Sequence, residues 1–534
     1  MADGGNAVDA AVASALVSCV TEPTLTGLGG SGFATVSWAD PAEQVVLDFF
    51  AAVPGKERTV ETSGGPVPVD VLFGTTTQTF HVGPQSCAVP GFVRGIFLMH
   101  ERWGSLPRHR VFEPAIEAAR GGVPLTDQQA FCHRILTNIL TRTELSREVF
   151  TPAGRMMQEG ELHVQGDLAG TLEFLVDHGA DAFYVGDVGR AIVDWSDAHG
   201  GLLSAADLRE YRVREVFPVA SDYRSFRIIA PPAPSSGGSL IAYHLRLVER
   251  ELGGRRIDLD TSEGARLFIA SMMATNAMRG GEFERWLYGG GLDRWLMSDD
   301  SVLLGRQRIH EVLERAPTGT PSVHGSGSTP GPGSSLGNTT HISVMDAAGN
   351  AVAITTSTGC GSGEFVGSTG IHLNNMMGEE DLLPVEHRLS PGERLTSMMS
   401  PTIVTEGDRP RLATGSAGSS RIRSAVTQSI LRALEPAREG RARPIQQVLR
   451  EAVEAGRMHA EGDAVHVEPG VTADALAALA ADGWDVTQWP EPNLYFGGVN
   501  MAALSRDGDL AAAGDPRRGG AAWLAVGSEA REAP

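Results

Sequence analysis

The spacing of apolar and polar residues changes character several times along the chain. Residues 6–20 combine helix formers with small apolar side chains and predict a helix; the Gly-rich stretch 24–32 then predicts a turn that delivers the chain into a strand at 33–38. Between about 95 and 315, helical patterns at 112–120, 168–178 and 264–278 alternate with short extended ones. They predict a mainly helical layer covering a sheet. Residues 317–337 are mostly Gly, Ser, Thr and Pro, with too few apolar side chains to pack, and read as a mobile loop. Two alternating β-branched runs follow, at 340–346 and 351–357, joined by Ala347-Ala348-Gly349-Asn350, and predict a hairpin.

This order of elements removes two motif matches. GLGGSG at 27–32 fits the GxGxxG pattern, but it leaves a helix and enters a strand, the reverse of a dinucleotide site. Residues 333–337 spell GxSxG around Ser335, but a loop precedes them and a strand follows, so the strand-to-helix context of a nucleophile elbow is missing.

Composition narrows the functional class. With 534 residues, 42% of them hydrophobic and 20% charged, the chain has the make-up of a folded protein with an extensive core. The absence of any run of about 18 apolar residues argues against a membrane span. A net charge of −21 and scattered arginines argue against nucleic acid and leave a small molecule as the expected partner. Lys56 is the lone lysine, a usage that carries no mechanism. Cys19, Cys87, Cys132 and Cys360 show no CxxC spacing, so neither a zinc site nor a disulfide framework is expected, and a reducing, cytoplasmic setting fits. No basic export signal follows Met1 in the chain as given. No metal cluster and no cofactor motif is read from the sequence, and none is expected.

The candidate chemistry sits where the loop meets the hairpin, at Asn338-Thr339-Thr340-His341. A Thr freed as a new N-terminus by peptide cleavage uses its own α-amine as the base for its hydroxyl, which makes Thr339 the candidate nucleophile. The plainer reading is that adjacent threonines at a strand start are β-formers. His341 reads as a structural hydrogen-bonding residue and Cys360 as a structural thiol.

Several ordered segments carry a resemblance: GGNAVDAAVA at 4–13, AVPG at 88–91, PPAPSSGG at 231–238, TTHISVMDAAGNAVA at 339–353, LNNMM at 373–377, SMMSPTIV at 397–404 and TGSAGSSRI at 414–422. Through them nearly the whole chain resembles the γ-glutamyltranspeptidase family of N-terminal nucleophile hydrolases. Relative to that family the start looks clipped. The resemblance implies an α+β fold, a four-layer αββα sandwich, and self-cleavage between Asn338 and Thr339. It implies a large subunit, 1–338, and a small subunit, 339–534, forming one interwoven unit. It also implies that the Thr339 hydroxyl attacks the Asn338 carbonyl, that Ser357 hydrogen-bonds the nucleophile, and that backbone N–H groups of Gly418 and Ser419 form the oxyanion hole.

Departures from the family bear on the substrate. Family members place an Arg after an Asp-Phe pair to hold a glutamyl carboxylate; here the segment reads Asp48-Phe49-Phe50. Phe cannot imitate a bidentate contact, and charged hydrogen bonds of that kind are worth about 1.5–3 kcal/mol. Gly359, Met376 and Met398 likewise stand where the family has polar ligands, leaving Ser397 and Glu379 or Glu380 as polar contacts. These changes imply a more apolar acyl pocket, unless another arginine, such as Arg388 or Arg394, has taken over the carboxylate. The segment 375–397 is short beside lid-bearing members, which implies an open cleft. The expected activity is hydrolysis of a bond to a carbonyl, either an amide or, as in alkylproline antibiotic biosynthesis, a carbon–carbon bond. The alternatives are a conventional γ-glutamyl transferase or glutathione hydrolase, a cephalosporin-type acylase, and a non-catalytic binding scaffold.

Overall fold

Two antiparallel sheets stacked face to face form the centre of the molecule, and their strands in chain order are β1 (Ser31–Ala39), β2 (Ala42–Phe49), β3 (Arg214–Val216), β4 (Val219–Tyr223), β5 (Phe226–Ala230), β6 (Thr340–Met345), β7 (Ala351–Ser357), β8 (Thr402–Glu406), β9 (Arg409–Ala417), β10 (Gly498–Leu504) and β11 (Leu510–Ala513). The first sheet has the order β6-β7-β1-β2-β3 and the second β11-β10-β9-β8-β5-β4. The computed structural model describes residues 1–58, 65–73, 76–314, 322–325, 338–434, 443–462, 464–526 and 529–533.

Small side chains let the sheets approach. Ala351 and Ala353 of the first sheet meet Ala413 and Ala502 of the second, with Ile229, Ile403 and Met345 filling the remaining space. Because both faces of these strands are covered, β7 (AVAITTS) is buried along its whole length and shows no polar face.

Helices cover the outer faces. On the first sheet lie α1 (Ala7–Thr21), α2 (Phe92–Trp103), α3 (Arg108–Gly121) and α4 (Gly166–His178); on the second lie α5 (Ser236–Leu252), α6 (Ser262–Asn276), α7 (Asp299–Leu313), α8 (Ile422–Leu434) and α9 (Ile445–Glu454). The result is the αββα sandwich. The stretch 95–315, read as one helical layer, in fact supplies both outer layers and also β3, β4 and β5. Helical periodicity reports a buried stripe and does not say which sheet covers it.

Local chemistry explains why the first helix starts where it does. Asn6 caps α1 by accepting from Val8 N and Asp9 N at 2.9 and 3.0 Å, and Asp9 Oδ2 accepts from Asn6 N at 2.9 Å, a reciprocal capping box. Asp346, at the β6–β7 turn, accepts from Ala7 N at 3.0 Å, which ties α1 to the hairpin. The glycines of 27–32 have a packing role. A Cβ on Gly30 would lie 2.5 Å from Ser357 O, and one on Gly32 would lie 2.2 Å from Thr355 O, so β1 can approach β7 only with glycine there.

The 317–337 tract lies outside the described residues apart from Ser322–Gly325, and Ser335 falls in the undescribed part. Those four residues are a strand, not loop, pairing in parallel with Asp485–Gln488. Backbone hydrogen bonds are sufficient for an added strand, so the missing apolar side chains did not signal it. Among the described residues no helix is long and apolar enough to cross a membrane.

Candidate active site

The β6–β7 hairpin sets the geometry around Thr339. Thr340 pairs with Thr356, which brings Thr339 level with Ser357 at the end of β7. Asn338, Thr339 and Ser357 are all buried. Ser357 Oγ donates to the Asn338 carbonyl oxygen and accepts from Gly359 N at 2.8 Å. The hydroxyl is thereby aimed at the carbonyl of the Asn338–Thr339 peptide bond. Next along β6, the Thr340 hydroxyl donates to Glu22, whose carboxyl is raised above its usual range by burial. No sequence signal singled out Glu22.

A small cavity of about 30 Å³ is bounded by Asn338, Thr339, Ser357, Gly359, Met376, Glu379, Ser397, Met398 and Ser419. The structure thus brings together most of the residues named from sequence. Asp381, Leu382, Met399 and Ile422 also line it and were not anticipated. Phe50 does not line it. Phe50 is fully buried and stacked on Phe33 with ring centroids 5.2 Å apart, in an apolar cluster with Met376, Leu382 and Met399. Gly418 does not line it either and contributes to the turn beside it.

Among the described residues the expected open cleft is absent, and the cavity is far below the roughly 300–1,000 Å³ of a ligand pocket. The segment after Asn375 folds inward as two short 3₁₀ turns, Met376–Gly378 and Glu380–Leu382, and closes over the site. Glu379 Oε1 accepts from Cys360 N at 3.1 Å, and the side chain is buried at the cavity, whereas Glu380 is exposed and does not line it. Burial, followed by the charge of Asp381, pushes the Glu379 carboxyl up to about 8, so it is largely protonated at neutral pH.

Gly359 has φ +66, and a Cβ there would lie 2.1 Å from Asn375 Oδ1 and 2.6 Å from Glu379 Oε1. The space that a side chain would need is already filled. Ser397 is held from the other side: its carbonyl accepts from Ser236 N and Gly237 N, at 2.8 and 3.2 Å, at the start of α5. The PPAPSSGG segment therefore buttresses the cavity wall. At the far wall, β9 ends at Ala417 and is followed by Gly418 (φ +127) and Ser419 (φ +50) before α8 begins.

Arg394 does not face the cavity. Its Nε lies 3.3 Å from Asp48 Oδ1, its Nη2 donates to Asp48 O at 3.3 Å, and its guanidinium sits 4.4 Å over the Tyr211 ring. None of the described residues bounding the cavity is Arg or Lys. His341 is buried between Thr355 Oγ1 and Ser343 Oγ, each at 2.8 Å from a ring nitrogen, and burial lowers it to about 3. It is a neutral structural residue. Cys360 is buried, with its thiol raised well above the usual value. All four cysteines are free. Among the described residues no group of three or more His, Cys, Asp or Glu is arranged to hold a metal.

Comparison with known proteins extends over nearly the whole chain. A profile of the gamma-glutamyltranspeptidase family matches residues 1–525. The chain is 31% identical to the acylase ACY 1 proenzyme of Pseudomonas sp. (strain SE83), covering 98% of this chain and 89% of that one. It is 29% identical to the glutathione hydrolase proenzyme of Escherichia coli (strain K12), covering 96% and 87%. The crystal structure of cephalosporin acylase from Bacillus halodurans superposes with a TM-score of 0.79 at 26% identity, over 97% of this chain and 91% of that one. A family match from the first residue to the last β-strands, on an αββα core shared with an acylase, makes this chain an enzyme of the gamma-glutamyltranspeptidase family.

Proposed function

We propose that the chain is a self-processing amide hydrolase that cuts between Asn338 and Thr339 and then uses Thr339 as its nucleophile. The carrying observation is the Ser357 Oγ–H···O contact to the Asn338 carbonyl, made beside Thr339 in the same cavity as Ser397 and Ser419. In the first step the Thr339 hydroxyl adds to the Asn338 carbonyl carbon while Ser357 stabilises the developing oxygen charge. The C–N bond breaks, the nitrogen takes up a proton, and an ester joins Asn338 to the Thr339 oxygen. Water opens the ester, leaving a large subunit of residues 1–338 and a small subunit of residues 339–534. The freed α-amine of Thr339 then serves as base in later cycles. During turnover, backbone N–H groups of Gly418 and Ser419 take up the oxyanion.

The acyl part of the substrate is apolar. Met376, Met398, Met399 and Leu382 line the cavity, Phe50 packs behind them, and Arg394 is committed to Asp48. The relationship to acylase ACY 1 favours an amide over a carbon–carbon bond. A second reading, γ-glutamyl hydrolysis, is favoured by Glu379 and Ser397 at the cavity and by the glutathione hydrolase relative. The test compares the cleaved enzyme on γ-glutamyl p-nitroanilide and on an apolar acyl p-nitroanilide. Loss of one charged carboxylate contact, about 1.5–3 kcal/mol, corresponds to roughly a 10- to 100-fold preference for the apolar substrate. Preference for the γ-glutamyl compound overturns the apolar reading.

A further inference from the structure

The turn at Gly418–Ser419 is fastened by a residue from across the cavity. Ser419 is one of three described non-glycine residues with positive φ, at +50. That conformation costs an L-residue about 1–2 kcal/mol unless the surroundings hold it. The hold comes from Asp381, whose Oδ2 accepts from Ser419 Oγ at 2.6 Å across 38 positions of sequence. Asp381 belongs to the Glu380–Leu382 turn, and its neighbour Glu379 reaches the opposite wall through Cys360 N at 3.1 Å. The strap 379–382 therefore bridges the end of β7, which carries Ser357, and the turn that ends β9. Asp381, Ser357 and Ser419 all border the same cavity.

We propose that Asp381 is a positioning residue, whose hydrogen bond to Ser419 Oγ fixes the left-handed turn so that its backbone N–H groups meet the oxyanion during turnover. The inference rests on the role given above to that turn. Without the acceptor, Ser419 relaxes toward ordinary φ values and rotates the peptide planes on either side of its Cα. Glycine at 419 would adopt the same φ without help. In the uncut chain the Asn338 oxygen is held by Ser357 and not by the turn, so self-cleavage does not depend on Asp381.

The test uses the full chain as wild type, Asp381→Ala, Asp381→Asn, Ser419→Gly and the Asp381→Ala/Ser419→Gly pair. Self-cleavage is timed by denaturing mass spectrometry after cell-free synthesis, and turnover by hydrolysis of p-nitrophenyl butyrate, with circular dichroism as the check on folding. Asp381→Ala is expected to lower kcat about 10-fold or more, with KM and the self-cleavage half-time within about twofold of wild type, since misplacing a donor costs part of the 10²–10³-fold lost on removing one. Asp381→Asn, which keeps an acceptor, is expected to retain at least about a third of kcat. On the Ser419→Gly background, Asp381→Ala is expected to change kcat less than about twofold. An undiminished kcat in Asp381→Ala, a loss confined to KM, or a loss of equal size on the glycine background overturns the proposal. A wild type that self-cleaves but does not hydrolyse the ester overturns the role of the turn and the latch with it, whereas a wild type that does not self-cleave overturns the nucleophile.

Discussion

Ser357→Ala is the substitution that most directly probes how the scissile carbonyl is activated. It removes the hydroxyl that donates to the Asn338 oxygen and leaves Gly359 N without its 2.8 Å acceptor in a buried place. A donor aimed at a developing oxyanion is worth about 2.7–4 kcal/mol in the transition state. The same contact to the neutral carbonyl already contributes about 0.5–1.5 kcal/mol before reaction, and only the difference accelerates the step. The net loss is about 1.5–3 kcal/mol, or a self-cleavage rate roughly 10- to 100-fold lower. The orphaned Gly359 N–H adds about 1–3 kcal/mol of destabilisation, visible as a lower melting temperature. Ser357→Thr keeps the hydroxyl and is expected to cleave at near the wild-type rate. The assay follows the appearance of the fragment beginning at Thr339 by mass spectrometry, over hours after cell-free synthesis. Self-cleavage of Ser357→Ala within about twofold of wild type would refute the reasoning.

Two other substitutions test the surroundings. Arg394→Met strips the buried Asp48 of its ion pair, and both side chains are almost wholly buried, so a loss of about 3–5 kcal/mol is expected in urea unfolding, with partial recovery in Arg394→Met/Asp48→Asn; a loss below about 1 kcal/mol would show that Asp48 does not need the guanidinium. Glu379 has a folded-state carboxyl near 8 against 4.5 unfolded, so its contribution to stability is complete below about pH 4.5 and is lost as pH rises through about 8. Glu379→Gln keeps an acceptor for Cys360 N and is expected to flatten the fall in melting temperature across that window; an unchanged slope would place the titration elsewhere.

Much of the frame was legible in the sequence because the signals were local. The hairpin was readable from two β-branched runs around Gly349-Asn350, and α1 from the helix formers and small apolar side chains of 6–20; the Asn6–Asp9 capping box that starts it is seen only in the structure. The GxGxxG match was set aside on the order of elements, and the structure has that order, a helix before and a strand after; Gly32 allows close approach to β7 and Gly29 close approach to the His372 carbonyl. What sequence could not supply were contacts between distant segments. Arg394 and Asp48 stand 346 positions apart, and nothing in either segment marks the partner, so Arg394 read as free to bind a carboxylate. Asp381 follows Glu379 and Glu380, the two acids that drew attention as polar contacts, and only the fold carries it to Ser419. The inward closure of the strap was missed for a related reason: 3₁₀ turns of three residues have no periodicity to detect. Length alone suggested an open cleft, and packing closes it.

The central claim is the identity of the nucleophile, and the most direct measurement is the intact mass of the wild-type chain beside Thr339→Ala and Thr339→Ser. Two wild-type fragments are expected, one ending at Asn338 and one beginning at Thr339, with slower cutting at the same bond in Thr339→Ser and a single uncut chain in Thr339→Ala. Cleavage at another bond, a wild-type chain that stays whole, or fragments of the same masses from Thr339→Ala would contradict the account.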